Sequence, residues 1–348
     1  MHLKAEFGAT ASEIRADGFD IAAEIPLNDD PTAAGRALAA GECAEGMARA
    51  LARLRPDAVV ALGDRYEMLG AVMAAAVAGI PVIHIAGGEI SEGAQDDCFR
   101  HAITKLSNLH LTATEEYRRR VIQLGEQPET VINTGSIGVY NLLRIEPMPL
   151  AELEASVGMT LAGRRTAIVT YHPATLDGRA DHAARTREML DALDRFPELQ
   201  LLITYPNNDA GGAEAIPLLE GYAAANPGRV RCIPSLGARR YLSMLKVADL
   251  VVGNSSSGIV EVPSAGIPTV DIGIRQRGRL AAESVIHCDA DTDSIAAALA
   301  RALSPEFRAI AAKAGNPYYK PDTLALMADA VERFLAAPTR IKKFHDII

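Results

Sequence analysis

Short, nearly unbroken apolar runs rich in Val and Ile alternate along this chain with Ala/Leu-rich stretches whose apolar positions recur at helical spacing. Continuous runs bounded by turn residues read as strands buried on both faces, and the periodic stretches read as helices packed over them. In the first half, strands are expected at 19–24, 57–62, 82–86, 109–113 and 131–134, with helices such as 44–54, 66–77, 97–107 and 115–124 between them. The second half repeats the rhythm, with strands at 166–171, 199–204, 230–233, 250–252, 269–272 and 285–288 and helices such as 183–195, 238–247 and 294–303. This is the pattern of an α/β protein with parallel sheets, arranged as two Rossmann-like lobes facing a cleft. Residues 144–163 carry two prolines and no strand pattern and read as the linker. The division expected is a first lobe at 1–150 and a second at 151–321, with 322–348, helical over 322–336, a candidate to pack back on the first. There is no internal repeat and no low-complexity tract.

Composition narrows the class. A chain of 348 residues can build two cores, and 49% hydrophobic with 23% charged residues belongs to a water-soluble globular protein. The longest apolar runs, such as 71–78, fall far short of the ~20 residues of a membrane span. The first residues lack a signal-peptide core, so the expected compartment is the cytoplasm. Cys43, Cys98, Cys232 and Cys288 are scattered, which argues against a disulfide framework or a zinc site. A net charge of −9 without a Lys/Arg block disfavours nucleic acid, while local donors leave room for a small anionic ligand.

Ligands of open parallel sheets bind at the carboxyl ends of strands, and the notable polar groups of both halves fall there. Asp64 and Arg65 in GDRYE follow the strand ending at Leu62, either as a turn and helix start or as site residues. Glu89 follows the next strand, and parallel neighbours are ~4.8 Å apart, close enough for two carboxyls to divide into acid and base. The surrounding stretch HIAGGEISEGAQDDCFRHA also holds Glu92, which reads as solvated loop, and Asp96 and Asp97, one of which reads as a helix cap. Arg100 and His101 lie on the first turn of that helix with their facing left open, and His84, His110 and His287 sit inside strand-like runs as core or supporting residues.

In the second half, His172 of YHPAT stands at a strand end, as a donor to a diphosphate or as a structural histidine. Asn207 follows the next strand. GNSSSG (253–258) leads from a strand into a helix starting near Gly258, where free N–H groups and the hydroxyls of Ser255 and Ser256 could hold a phosphate, or where a serine simply caps a turn. Glu261, in the first turns of that helix, either accepts from a ribose diol or favours the helix dipole.

Taken together, GDRYEMLGAVMAAAVAGIPVIHIAGGE, DDCFRHAITKLSNLH, YHPAT, GNSSSGIVEVPSAGIPTVDIGIRQRGR and the closing KKFHDI resemble the hydrolysing UDP-N-acetylglucosamine 2-epimerases, which make N-acetylmannosamine-type precursors of sialic- and legionaminic-acid-like sugars. The resemblance runs the length of the chain and implies a glycosyltransferase-B-like fold, no cofactor, no metal or nicotinamide, a UDP-sugar substrate, no nucleic-acid or membrane partner, and a homo-oligomer, dimer or tetramer. By motif it implies that Asp64, Glu89 and Asp96 are the acid/base carboxylates, with Asp97 left as the cap. His172, Ser255, Ser256, Gly258, Glu261 and Arg275 are implied as contacts of the nucleotide diphosphate, His172 assisting its departure, and Asn207 as a substrate-side residue. The family opens with a strand, a G-T-R-A-type turn, a helix and a second strand, whereas Met1-His2-Leu3 matches the stretch after that unit. The resemblance therefore implies a first lobe lacking one sheet edge and one nucleotide contact, from a start placed too far downstream or in a shortened relative. A UDP-sugar glycosyltransferase and an inactive UDP-sugar-binding remnant are the alternatives.

Overall fold

A computed structural model of the chain describes residues 3, 10–30, 32–177, 181–207, 209, 211–337 and 341–347. It is an α/β protein with two all-parallel sheets in two compact units. The first-half unit comprises Ala22–Ser91, Gln95–Tyr140 and Tyr318–Ile348; the second-half unit holds Asn141–Pro317 with Glu92–Ala94 and the short helix Ala11–Ala16.

The first-half sheet runs β1 (Val59–Leu62), β2 (Val82–Ile85), β3 (Leu109–Thr112), β4 (Val131–Asn133), in that order. Alternation along each strand sends neighbours to opposite faces. Val82 joins Leu51, Val72 and Ile103, drawn from the helices Ala33–Leu54, Tyr66–Val77 and Asp96–Leu106. Ile83, one residue on, joins Leu109, Leu111, Met327, Ala330 and Phe334, the last three supplied by the helix Thr323–Ala336 from the end of the chain. Val60 and Leu62, on edge strand β1, remain exposed.

The second-half sheet holds β5 (Thr166–Thr170), β6 (Gln200–Thr204), β7 (Val230–Ile233), β8 (Leu250–Gly253), β9 (Thr269–Ile272) and β10 (Val285–Cys288). Its order is β10-β9-β8-β5-β6-β7. The chain lays β5, β6 and β7 outward to one side, then returns to pair β8 with β5 and continues outward to the other. The order reverses between β5 and β8, which is where an open α/β sheet leaves a crevice at its carboxyl edge. Apolar residues fill both faces: Ala167, Val169, Leu201 and Val252 on one, Ile168, Leu202 and Val251 on the other.

Gly253 ends β8 at φ 132°, opposite Thr170 of β5, and a Cβ there would collide with the Thr170 carbonyl. Gly253→Ala combines a forbidden backbone angle with that clash, so a loss of about 3 kcal/mol is expected in the free energy of urea unfolding.

The structure corrects the reading of 19–24 as a strand. The segment is irregular, follows the helix Ala11–Ala16, pairs with no strand, and leaves Phe19 69% exposed. A short apolar run suggested a strand, but a strand exists only where a neighbour takes its hydrogen bonds. The stretch 144–163 contains no strand, as expected, and does contain a helix, Leu150–Val157, closed by Gly158 in the left-handed conformation. The four cysteines are free. Among the described residues no helix is long and apolar enough to cross a membrane.

Candidate active site

In the first-half unit, Asp64 and Glu89 stand just beyond the ends of β1 and β2, reached through backbone that few residues tolerate. Gly63 has φ 102°, and Gly88 has φ 80° with a Cβ position blocked by the Tyr117 carbonyl. Ala86, at φ 67°, is one of only two non-glycine residues with positive φ among those described. Backbone strain of this kind is retained where surrounding contacts over-determine it, typically at functional sites.

Asp64 and Glu89 follow neighbouring parallel strands, β1 and β2. The guanidinium of Arg100, one turn into the helix Asp96–Leu106 and 2% exposed, joins the segments that carry them. Nε and Nη2 donate to Asp64 Oδ2 at 2.8 and 2.5 Å, Nη1 to the Glu89 carbonyl at 2.9 Å and to Asp97 Oδ1 at 3.0 Å, and Nη2 to Ser91 Oγ at 2.9 Å. A guanidinium has five N–H donors, and all five are used. Arg100 therefore has none left for a ligand and acts as the post around which the acids are set. Both bonds to Asp64 fall on Oδ2, so Oδ1 takes none from Arg100, and the side chain is 28% exposed. Glu89 is buried, at 7%.

Asp97 is not a helix cap. The helix begins at Asp96 with Gln95 as its N-cap, and Asp97 instead accepts the Ser91 N–H at 2.6 Å along with Arg100, while His101 Nε2 lies 3.5 Å from its other oxygen. Burial alone would raise its pKa, but His101, the Ser91 N–H and Arg100 outweigh that and hold it at about 2. A carboxylate so firmly ionised orients its neighbours and carries no protons near neutrality. Asp96, half-buried, is the first residue of that helix.

Behind the acids, His84 and His110 are paired in register on β2 and β3 and fully buried. Burial, then the neighbouring His110, pushes the His84 pKa down to about 3, so it is neutral. The far end of the Asp96–Leu106 helix is fixed by the C-terminal tail. Lys342 Nζ donates to the carbonyls of Thr104, Lys105 and Ser107, capping the helix electrostatically. It also pairs at 2.7 Å with Glu126, whose 3%-exposed side chain further meets Lys105 at 2.6 Å and His110 at 3.0 Å.

Burial would raise the Glu126 pKa, but bonds from His110, Lys105 and Lys342 lower it to about 2, against 4.5 unperturbed. Because the folded value is depressed, the stabilisation is complete above pH 4.5 and fades as pH falls towards about 2. Urea unfolding should show wild type and Glu126→Gln converging by about 2 kcal/mol between about pH 5 and about pH 3. Parallel curves would show that Glu126 is not the titrating group.

In the second-half unit the polar groups gather at the β5/β8 switch point. His172, just past β5, receives the Asn207 N–H on Nδ1 at 3.1 Å, so the proton of its neutral ring is on Nε2. Asn254, directly after β8, is buried and bonds to both main-chain groups of His172. Arg275 and Gln276, beyond β9, both donate to the Asn254 carbonyl, at 3.0 and 2.8 Å. The Asn207 Oδ1 and Gln276 Oε1 atoms are buried without a protein partner, two acceptors suited to ligand hydroxyl or N–H groups.

The serine loop divides. Ser256 is exposed at the N-cap of the turn Ser257–Val260, whereas the Ser257 hydroxyl bonds to the hydroxyl of the half-buried Tyr241 at 2.5 Å. Ser255, half-buried, lies between Asn254 and that turn. Gly258 packs on β9: a Cβ would press on Thr269, whose hydroxyl donates to its carbonyl. Glu261 sits at the junction with a second short turn, Val262–Ala265, whose start is fixed by Pro263.

The structure thus ties Asp64, Asp97 and the Glu89 main chain to one arginine, on the helix that Asp96 begins, and ties His172 and Arg275 to one asparagine, with Asn207 bonded to His172. Sequence reasoning left the facing of Arg100 open and passed over Asn254, Gln276 and Tyr241. Arg100 had a signal, since it stands four and three residues after Asp96 and Asp97, where an ion pair forms on a helix. His287 is half-exposed rather than core and bonds at 2.8 Å to Asp271, which is 98% buried by side chain.

The family profile described as UDP-N-acetylglucosamine 2-epimerase matches residues 1–332. The chain is 34% identical over 349 aligned positions to polysialic acid biosynthesis protein P7 of Escherichia coli, covering 100% of this chain and 88% of that protein. It is 35% identical to the GDP/UDP-N,N'-diacetylbacillosamine 2-epimerase (hydrolyzing) of Campylobacter jejuni, covering 88% and 79%. Among solved structures, the UDP-GlcNAc 2-epimerase of Neisseria meningitidis bound to UDP-GlcNAc superposes with a TM-score of 0.71 at 18% identity over 85% of this chain and 82% of that one. The S. aureus MnaA–UDP co-structure gives a TM-score of 0.70 at 15% identity over 88% and 84%. At such identity the structural likeness establishes the fold.

Proposed function

Because this chain belongs to the UDP-N-acetylglucosamine 2-epimerase family, we propose that it is a hydrolysing epimerase of a UDP-2-acetamido sugar, UDP-GlcNAc or its 2,4-diacetamido-6-deoxy relative, releasing UDP and the free 2-epimer. The observation that supports this reading is the set of acids around Arg100, in which Asp64 keeps one oxygen clear of the guanidinium while Asp97 is permanently ionised.

The proton on carbon 2 is not acidic, so its removal must be coupled to departure of UDP from carbon 1. As that bond breaks, negative charge grows on the diphosphate. The His172 Nε2–H, Arg275, and the N–H and hydroxyl groups at Ser255 and Ser256 are donors for it, of a kind worth roughly 100- to 1,000-fold in rate apiece. One carboxylate among Asp64, Glu89 and Asp96 takes the carbon-2 proton as the glycal double bond forms. Water then adds its hydroxyl to carbon 1 while a second carboxyl returns a proton to carbon 2 from the opposite face and takes up the water's remaining proton, and the proton held by the first carboxylate passes to solvent. The sugar leaves epimerised, and proton count and charge balance. A glycosyltransferase needs a single base to activate its acceptor, so the three candidate acids of the first-half unit suit proton transfer on both faces of the sugar better.

Incubation with UDP-GlcNAc or UDP-2,4-diacetamido-6-deoxyglucose alone tests this. Free UDP with the free manno-configured sugar is expected. A UDP-linked epimer without free UDP would identify a non-hydrolysing enzyme, and no reaction until an acceptor is added would identify a transferase.

A further inference from the structure

Asn254 follows β8 at the switch point, yet at 2% exposure it is shut away from any ligand. Both polar atoms of its side chain engage one residue across the switch: Oδ1 accepts the His172 N–H at 2.7 Å, and Nδ2 donates to the His172 carbonyl at 2.8 Å. Only one orientation of the amide satisfies both, so its oxygen and nitrogen are assigned by the bonds themselves. The pattern imitates one more rung of the β5–β8 ladder after the strands have ended. The Asn254 main chain completes the junction, its N–H donating to Thr170 and its carbonyl receiving Arg275 and Gln276. One residue therefore ties together the loops that follow β5, β8 and β9.

We propose that Asn254 is a positioning residue, which holds the His172 Nε2–H and the Arg275 guanidinium as one rigid donor array for a nucleotide diphosphate. This rests on the functional reading above for the identity of the ligand, though not for the geometry. With the His172 main chain fixed by Asn254, its ring stays against the Asn207 N–H and keeps the tautomer that donates outward. Without that grip the ring is released, either nitrogen can carry the proton, and the donor is misdirected when charge develops.

Long-range proton–nitrogen NMR of the histidine rings in the unliganded protein reads this directly. Wild type should show His172 as a single Nε2–H tautomer, and Asn254→Ala a mixture, with circular dichroism unchanged. Should the alanine variant fold poorly, Asn254→Asp keeps the acceptor but loses the donor and should show the same change in lesser degree. Asn254→Ala is also expected to lower kcat about 10- to 100-fold, but less than about threefold in a His172→Gln background, because it acts through that ring. Ring shifts identical to wild type, or losses that multiply in the double variant, would overturn the proposal. A wild-type protein that turns over neither UDP-sugar while the ring signature still responds to Asn254 would defeat the functional reading and uphold the positioning role.

Discussion

Arg100→Met should abolish measurable turnover and cost the fold about 3 kcal/mol, the size expected when one partner of a buried ionic network is removed. Methionine fills the volume but supplies none of the five donors. Asp64 and Asp97, 28% and 26% exposed, would turn toward water and repel each other, and the Glu89 carbonyl and Ser91 hydroxyl would lose their shared partner. Arg100→Lys should rescue little, since an ammonium has three donors on a flexible stem and cannot span four groups at fixed angles. Urea unfolding and turnover should fall together in both variants. A methionine variant of wild-type stability and activity would show that the acids hold their places without the guanidinium.

Asp64→Asn separates chemistry from scaffolding. Asparagine keeps the shape and one acceptor oxygen for Arg100, so the change in stability should stay within about 1 kcal/mol. What it removes is a group that can take a proton, and turnover should fall about 100- to 10,000-fold. UDP affinity, measured by calorimetry, should be near that of wild type, since the diphosphate donors assigned above belong to the other unit. Unchanged turnover would take Asp64 out of the proton transfer, and if wild type were inert as well, the protein would be a UDP-sugar-binding remnant.

The strands were readable because each is a continuous apolar run flanked by turn residues, and ten of the eleven expected segments carry one. Residues 19–24 misled because a local apolar run says nothing about whether a partner strand exists. Asp64 and Glu89 could be placed because strand ends in parallel sheets are where ligands bind, an argument that needs only the strand boundaries. The relations among side chains were not readable. Whether Arg100 faces the acids depends on helix rotation to within one position, and a carboxylate near a helix start looks alike whether it caps the helix or, like Asp97, reaches back to the preceding loop. Asn254 was hidden for a related reason: its partners lie 82 and 21 residues away, and only the pairing of β8 with β5 brings them together.

The most direct measurement is the reaction in heavy water, with a UDP-2-acetamido sugar as the sole substrate and the products read by NMR and mass spectrometry. The expected result is free UDP together with a free 2-epimer carrying one deuterium at carbon 2, because the proton removed there exchanges with solvent before another is returned. Release of a sugar with its original configuration and no deuterium would contradict it, showing simple hydrolysis without abstraction at carbon 2.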